Sequence, residues 1–83
     1  MRSYSSGTSV IPLLGMTIGE KLNEIVKLYP QNEALVVGHQ NIRWTYQEFQ
    51  VKVKACALAL LSCGLEKGDR VGIWSPNCWE WTV

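Results

Sequence analysis

Charge of one sign is what this sequence lacks most plainly. Eight lysines and arginines stand against seven aspartates and glutamates, a net charge of +1, so no electrostatic field draws the chain to nucleic acid or to an anionic membrane. Histidine is nearly absent too. One His and no CxxC pair give no ligand set for zinc or an iron–sulfur cluster. No apolar run approaches the ~18 residues a membrane span needs. The three cysteines are an odd number, and Cys56 and Cys63, on one expected helix, sit roughly 10 Å apart along its axis, too far for a disulfide. They read as thiols packing like small hydrophobes, in a reducing compartment. Charged residues of all kinds are also scarce, 18% of the chain against 47% apolar, where the surface of a small free-standing domain is about a quarter to a third charged. A chain this short buries only about 60–65% of its unfolded surface. Part of the apolar surface therefore lacks a partner within the sequence.

What is present is organised around residues 45–74. Before them, residues 1–16 carry Ser, Gly and Pro12 without periodicity and are expected to form an irregular arm, with Ile11, Leu13 and Leu14 available to dock. Thr17-Ile-Gly-Glu20 spells a capping box, which predicts a helix start. Ile18, Leu22, Ile25, Val26 and Tyr29 then repeat at the helical period, and Pro30 stops the ladder by about Leu28 or Tyr29. Ala34 to Val37 and Ile42 to Trp44 flank Gly38-His39-Gln40-Asn41 and predict a hairpin, the Gly and Asn supplying positive φ.

Thr45-Tyr-Gln-Glu48 repeats the box and opens a longer helix. Tyr46, Phe49, Val53, Cys56, Ala57, Leu60 and Leu61 mark its buried stripe, and Glu48 with Lys52 is spaced for an i, i+4 pair. The helix is apolar almost all round in its second half, which calls for cover on more than one side. Gly64 is expected as the left-handed closing residue, with Leu65 folding back. Glu66 to Asp69 reads as a turn. Arg70 to Trp74 reads as a strand covered on both faces, reached by a parallel right-handed crossover. Asn77 is placed to cap a third helix beginning at Cys78.

No residue here qualifies as catalytic, cofactor-binding or metal-ligating. His39, at the hairpin tip, has no orienting partner nearby in sequence. Asp69 and Arg70 occupy a turn, where solvated charges normally sit. Ser75, Pro76 and Asn77 follow a parallel strand at the edge where ligands bind in open α/β sheets, though capping by Asn77 competes with that role. Trp44, Trp74, Trp79 and Trp81 suit packing.

Four stretches, taken in order, carry a family likeness: Arg43-Trp-Thr-Tyr-Gln-Glu48, Ala55 through Gly64, Gly68-Asp-Arg-Val-Gly-Ile-Trp74, and Ser75-Pro-Asn77 with Glu80-Trp81. They resemble the N-terminal region of the AMP-forming acyl-CoA synthetases, relatives of luciferase and of peptide-synthetase adenylation domains, over residues 17–81. The leading Ser3-Tyr-Ser-Ser-Gly-Thr8 and Pro12-Leu-Leu-Gly-Met-Thr-Ile-Gly-Glu20 resemble the arm of the medium-chain fatty acyl-CoA synthetase branch, which includes mitochondrial animal members.

The resemblance implies an α/β fold: the start of the large N-terminal domain of an adenylate-forming enzyme, ordered helix, β-hairpin, helix, parallel strand, start of a helix, and incomplete as it stands. Residues 1–16 would be the arm and 17–83 the truncated domain. It implies a full-length ligase that activates a fatty acid with ATP to an acyl-adenylate and transfers it to coenzyme A, with Mg²⁺. The fragment itself is expected to be inactive and to bind none of these cofactors. The family's phosphate loop, roughly Thr-Ser-Gly-Thr-Thr-Gly then Pro-Lys-Gly, has no match; Ser5-Ser-Gly-Thr8 shares letters but precedes the first helix and lacks the Lys. The remainder of the same chain is the expected cover for the exposed core, with a soluble intracellular location left open between mitochondrion and cytoplasm. The competing reading is a short non-catalytic interaction protein, or truncated isoform, docking on an intact synthetase.

Overall fold

The computed structural model describes residues 7, 10, 11 and 13–83. Of the expected arm, residues 1–6, 8, 9 and 12 lie outside the described residues, so the start of the Ser3–Thr8 stretch and Pro12 do too. The described arm residues have no helix or strand. Val10 and Leu13 are almost fully exposed, and Leu14 lines an apolar groove with Ile18, Leu22, Tyr46 and Phe49.

Helix α1 spans Ile18–Leu28. Its start is the expected capping box: the Glu20 amide donates to Thr17 Oγ1 at 3.1 Å and the Thr17 amide to Glu20 Oε2 at 3.3 Å. Pro30 ends it, and the Tyr29 amide closes the last turn on the Ile25 carbonyl. Leu22, Ile25 and Val26 are half-buried, whereas Ile18 and Tyr29, at the two ends of the stripe, stay exposed.

Strands β1 (Glu33–Val37) and β2 (Ile42–Thr45) form the antiparallel hairpin. A 3-10 turn over Gly38–Gln40 joins them, and Asn41 takes the left-handed conformation at φ 54°. Gly38 has no positive φ, so Asn41 alone makes the left-handed step. Leu35 pairs with Trp44 and Val37 with Ile42. These four face inward and are half-buried, while Val36 and Arg43 point out, the alternation a one-sided sheet requires. The register shifts between Glu33 and Leu35, a bulge that turns Ala34 inward beside Leu35. On the outer face Arg43 pairs with Glu33, both well exposed, an ion pair worth at most about 1 kcal/mol.

Helix α2 (Tyr46–Ser62) leaves the hairpin without a loop, Thr45 ending β2 and capping α2. The Glu48 amide donates to Thr45 Oγ1 at 3.2 Å, and the amides of Tyr46 and Gln47 donate back to the Asn32 and Pro30 carbonyls. All three leading amides are satisfied, two of them by the segment between α1 and β1. Replacing Thr45 with Ala should cost about 1 kcal/mol, read as a lowered urea midpoint at unchanged slope in the whole protein. The end of α2 is a Schellman motif: Leu65 donates to the Leu60 carbonyl and Gly64 to that of Leu61, with Gly64 at φ 90°.

Helices α1 and α2 lie side by side, bridged by Gln50 to Asn23 at 2.7 Å, and the turn after α1 is tied to α2 by Gln31 to Gln47 at 3.0 Å. The other side of α2 covers the hairpin. Tyr46, Phe49, Val53 and Cys56 are half-buried, Tyr46 and Phe49 beside α1, but Ala57, Leu60 and Leu61 are exposed. The expected stripe thus holds for the first half of α2 and lapses where no element lies against it. Among the described residues none is fully buried. The surface of 7693 Å² compares with about 5,000 Å² for a compact folded chain of this mass.

Two expectations about the last twenty residues need correction. Arg70 to Trp74 forms no strand: these residues have no ladder partner, and Val71, Ile73 and Trp74 are exposed. A strand exists only through a neighbour's hydrogen bonds, and among the described residues the sheet has two strands, both in the hairpin. Helix α3, the single turn Trp79–Thr82, has Cys78 rather than Asn77 at its N-cap and no hydrogen bond from the cap side chain. Its first amide is satisfied from a distance, by Gln40.

Candidate functional site

Past α2 the chain turns at Glu66 to Asp69. Asp69 donates its amide to the Glu66 carbonyl, and its carboxylate accepts the Glu66 amide at 2.8 Å. Gly68, at φ 93°, meets the left-handed demand a type II turn makes of its third residue. Asp69 is thereby a turn-forming group rather than an acid poised for chemistry. Arg70 is exposed. Ser75 Oγ lies 2.9 Å from the Pro76 carbonyl and 3.2 Å from Cys78 Sγ, so the hydroxyl is engaged within its own loop.

That loop returns the chain to the hairpin. Trp79 meets Trp44 edge to face, ring centroids 5.1 Å apart at 67°, and the Lys52 ammonium sits 5.5 Å from the Trp44 ring centre and 6.0 Å from that of Trp79. The expected pairing of Lys52 with Glu48 gives way to this placement, because the Glu48 carboxylate is already held by Thr45 in the capping box. Two of the four tryptophans thus pack together, while Trp74 is fully exposed and Trp81 about half so. Gln40 completes the contact with two hydrogen bonds to α3, and it is the residue that sequence reasoning missed. Only its position beside a predicted turn hinted at a role.

His39, on the 3-10 turn, is exposed and borders a shallow groove of roughly 450 Å³ with Val37, Asn77, Cys78 and Trp81. No hydrogen bond joins the imidazole to Asn77 or Cys78 among those described. The three cysteines are free thiols. Among the described residues, no group of three or more His, Cys, Asp or Glu could hold a metal ion, and no helix is long and apolar enough to cross a membrane.

A phosphate could in principle be cradled by a helix N-terminus. Here the leading amides of α2 are all occupied and a Glu carboxylate closes each capping box, placing negative charge where an anion would have to sit. The N-terminus of α2 therefore leaves no leading amide free to cradle a phosphate.

What the arrangement offers is a scaffold corner: two helices, a hairpin and a returning loop, with apolar faces turned outward. A family model described as AMP-binding enzyme matches residues 22–83. The chain belongs to the AMP-binding enzyme family. Its relatives include the mitochondrial medium-chain acyl-CoA ligases of Rattus norvegicus, 41% identical over 98% of this chain, and of Homo sapiens, 40% identical over the same share. A Bacillus subtilis protein named as an acyl-CoA synthetase is 39% identical over 83% of it. The chain spans about 13% of the length of each of these AMP-binding relatives. No solved structure matches it. The α/β reading stands for this small segment of the family, with helix, two-stranded antiparallel sheet and helix in the expected order.

Proposed function

We propose that these residues are the opening part of the large N-terminal domain of a fatty acid–CoA ligase, residues 1–16 its arm and 17–83 the domain's first elements. The whole protein joins a fatty carboxylate, of medium chain length, to ATP with release of pyrophosphate, and passes the acyl group from the adenylate to the thiol of coenzyme A, with Mg²⁺ supplied for the nucleotide. The observation that carries this reading is identity of about 41% over 98% of the chain, arm included, with ligases whose names specify medium-chain acyl substrates and the mitochondrion; a mitochondrial location comes with it. The contribution of residues 17–83 is architectural. They hold the hairpin against two helices and present apolar surface to the rest of the domain.

The test is pyrophosphate exchange into ATP by the whole protein, run with octanoate, palmitate and no acid. Exchange should depend on acid and be fastest with octanoate, while residues 1–83 alone show none. Exchange independent of any fatty acid would overturn the ligase reading, and faster exchange with palmitate would overturn the medium-chain assignment alone.

A further inference from the structure

The hairpin turn does more than reverse the chain. The Gln40 carboxamide uses both its polar ends on α3: Oε1 accepts the Trp79 amide at 2.8 Å, and Nε2 donates to Glu80 Oε1 at 2.8 Å. Helix α3 is one turn long with no cap from its own flank, and a helix of that length has no stability of its own. Between Gly64, where α2 closes, and Trp79, the backbone forms no strand or helix. Three described contacts tie the returning chain to the hairpin and α2: the Gln40 pair of hydrogen bonds, the Trp44–Trp79 contact, and the Lys52 ammonium beside both rings. Two of these are generic, because aromatic stacking and a nearby cation tolerate sliding. The carboxamide is directional and fits only when an N–H donor and an acceptor are presented side by side.

We propose that Gln40 is a latch: a positioning residue that fixes the register of α3 on the hairpin and thereby sets where the loop Ser75–Asn77 is held. The latch makes the hairpin turn, thirty-nine residues upstream of Trp79, a determinant of the path of residues 66–78. It works by amide complementarity and takes part in no chemistry, so it stands independently of the ligase reading.

Exchanging the polarity of the pair provides the test. Q40E keeps an acceptor for the Trp79 amide but sets a second carboxylate against Glu80, so donor and acceptor no longer match. The double variant Q40E/E80Q restores the match with the donor and acceptor reversed. Amide hydrogen exchange of residues 78–83, followed in the whole protein at pH 7 and 25 °C, reads the latch directly and requires no activity. Q40E should exchange these amides about tenfold faster, E80Q alone should change them less, and the double variant should return close to the parent rate. Parent-like protection in Q40E would overturn the latch, and so would a double variant that exchanges as fast as Q40E or faster. Should Q40E not accumulate in folded form, recovery of a folded, protected double variant supports the latch, and failure of both refutes it.

Discussion

Heated in isolation, residues 1–83 should lose helical ellipticity gradually, with no calorimetric peak. A cooperative domain of this length would absorb about 60 kcal/mol at its midpoint, and that heat comes from releasing a packed interior all at once. Here no described residue is fully buried. Phe49, Val53, Cys56, Leu35 and Trp44 are all only half-covered. The helices carry local signals at their ends, but helices of 11 and 17 residues are marginal in water without a tertiary face to lie on. Helix content should thus respond to temperature as a broad slope. A sharp transition whose calorimetric and van't Hoff enthalpies agree would show instead that the segment is a domain in its own right.

The second large effect is expected from the outer face of α2. Leu58 and Leu61 are 68% and 64% exposed, on the half of the helix that is apolar nearly all round. Replacing both with Lys tests whether the rest of the whole protein covers them, because a cation near a helix C-terminus suits the helix itself. In residues 1–83 alone the double change should alter helicity little, within about 0.5 kcal/mol. In the whole protein it should cost on the order of 4 kcal/mol or more, since it forces two ammonium groups into an apolar contact, and the yield of soluble protein should collapse. An unchanged urea midpoint in the whole protein would mean that this face looks onto solvent or onto a different molecule.

The comparison of sequence with structure divides along the range of the interactions. Both capping boxes, the proline stop after α1 and the Gly64 closure of α2 were legible, because each is settled by residues within about six positions of one another. The hairpin was legible for the same reason, down to the positive φ at Asn41. What could not be read depended on distant groups. Arg70 to Trp74 has the composition of a covered strand, yet composition supplies no neighbour to bond with. Lys52 had a suitable partner one helical turn away and lies instead beside Trp44 and Trp79, the second of them twenty-seven residues on. Asn77 had the right chemistry for a cap, and the Trp79 amide was taken by Gln40 from the far side of the molecule. The candidate site follows the same division. The turn at Glu66 to Asp69 was legible from its own residues, whereas the packing role of the loop after Trp74 depended on which side chains meet it.

The way α2 is bounded bears on how the protein is made. Its start is fixed by Thr45, Glu48 and the carbonyls of Pro30 and Asn32, and its end by Gly64 and Leu65 folding onto the last turn. Every one of these residues has been translated by position 65, within seconds at a synthesis rate of roughly 5–20 residues per second. Where the helix begins and where it ends is thus encoded within residues 30–65, although a helix of 17 residues stays marginal until a tertiary face lies against it. Later-translated chain therefore meets a segment whose helix boundaries are already encoded, and the exposed apolar half is where a covering contact would add stability.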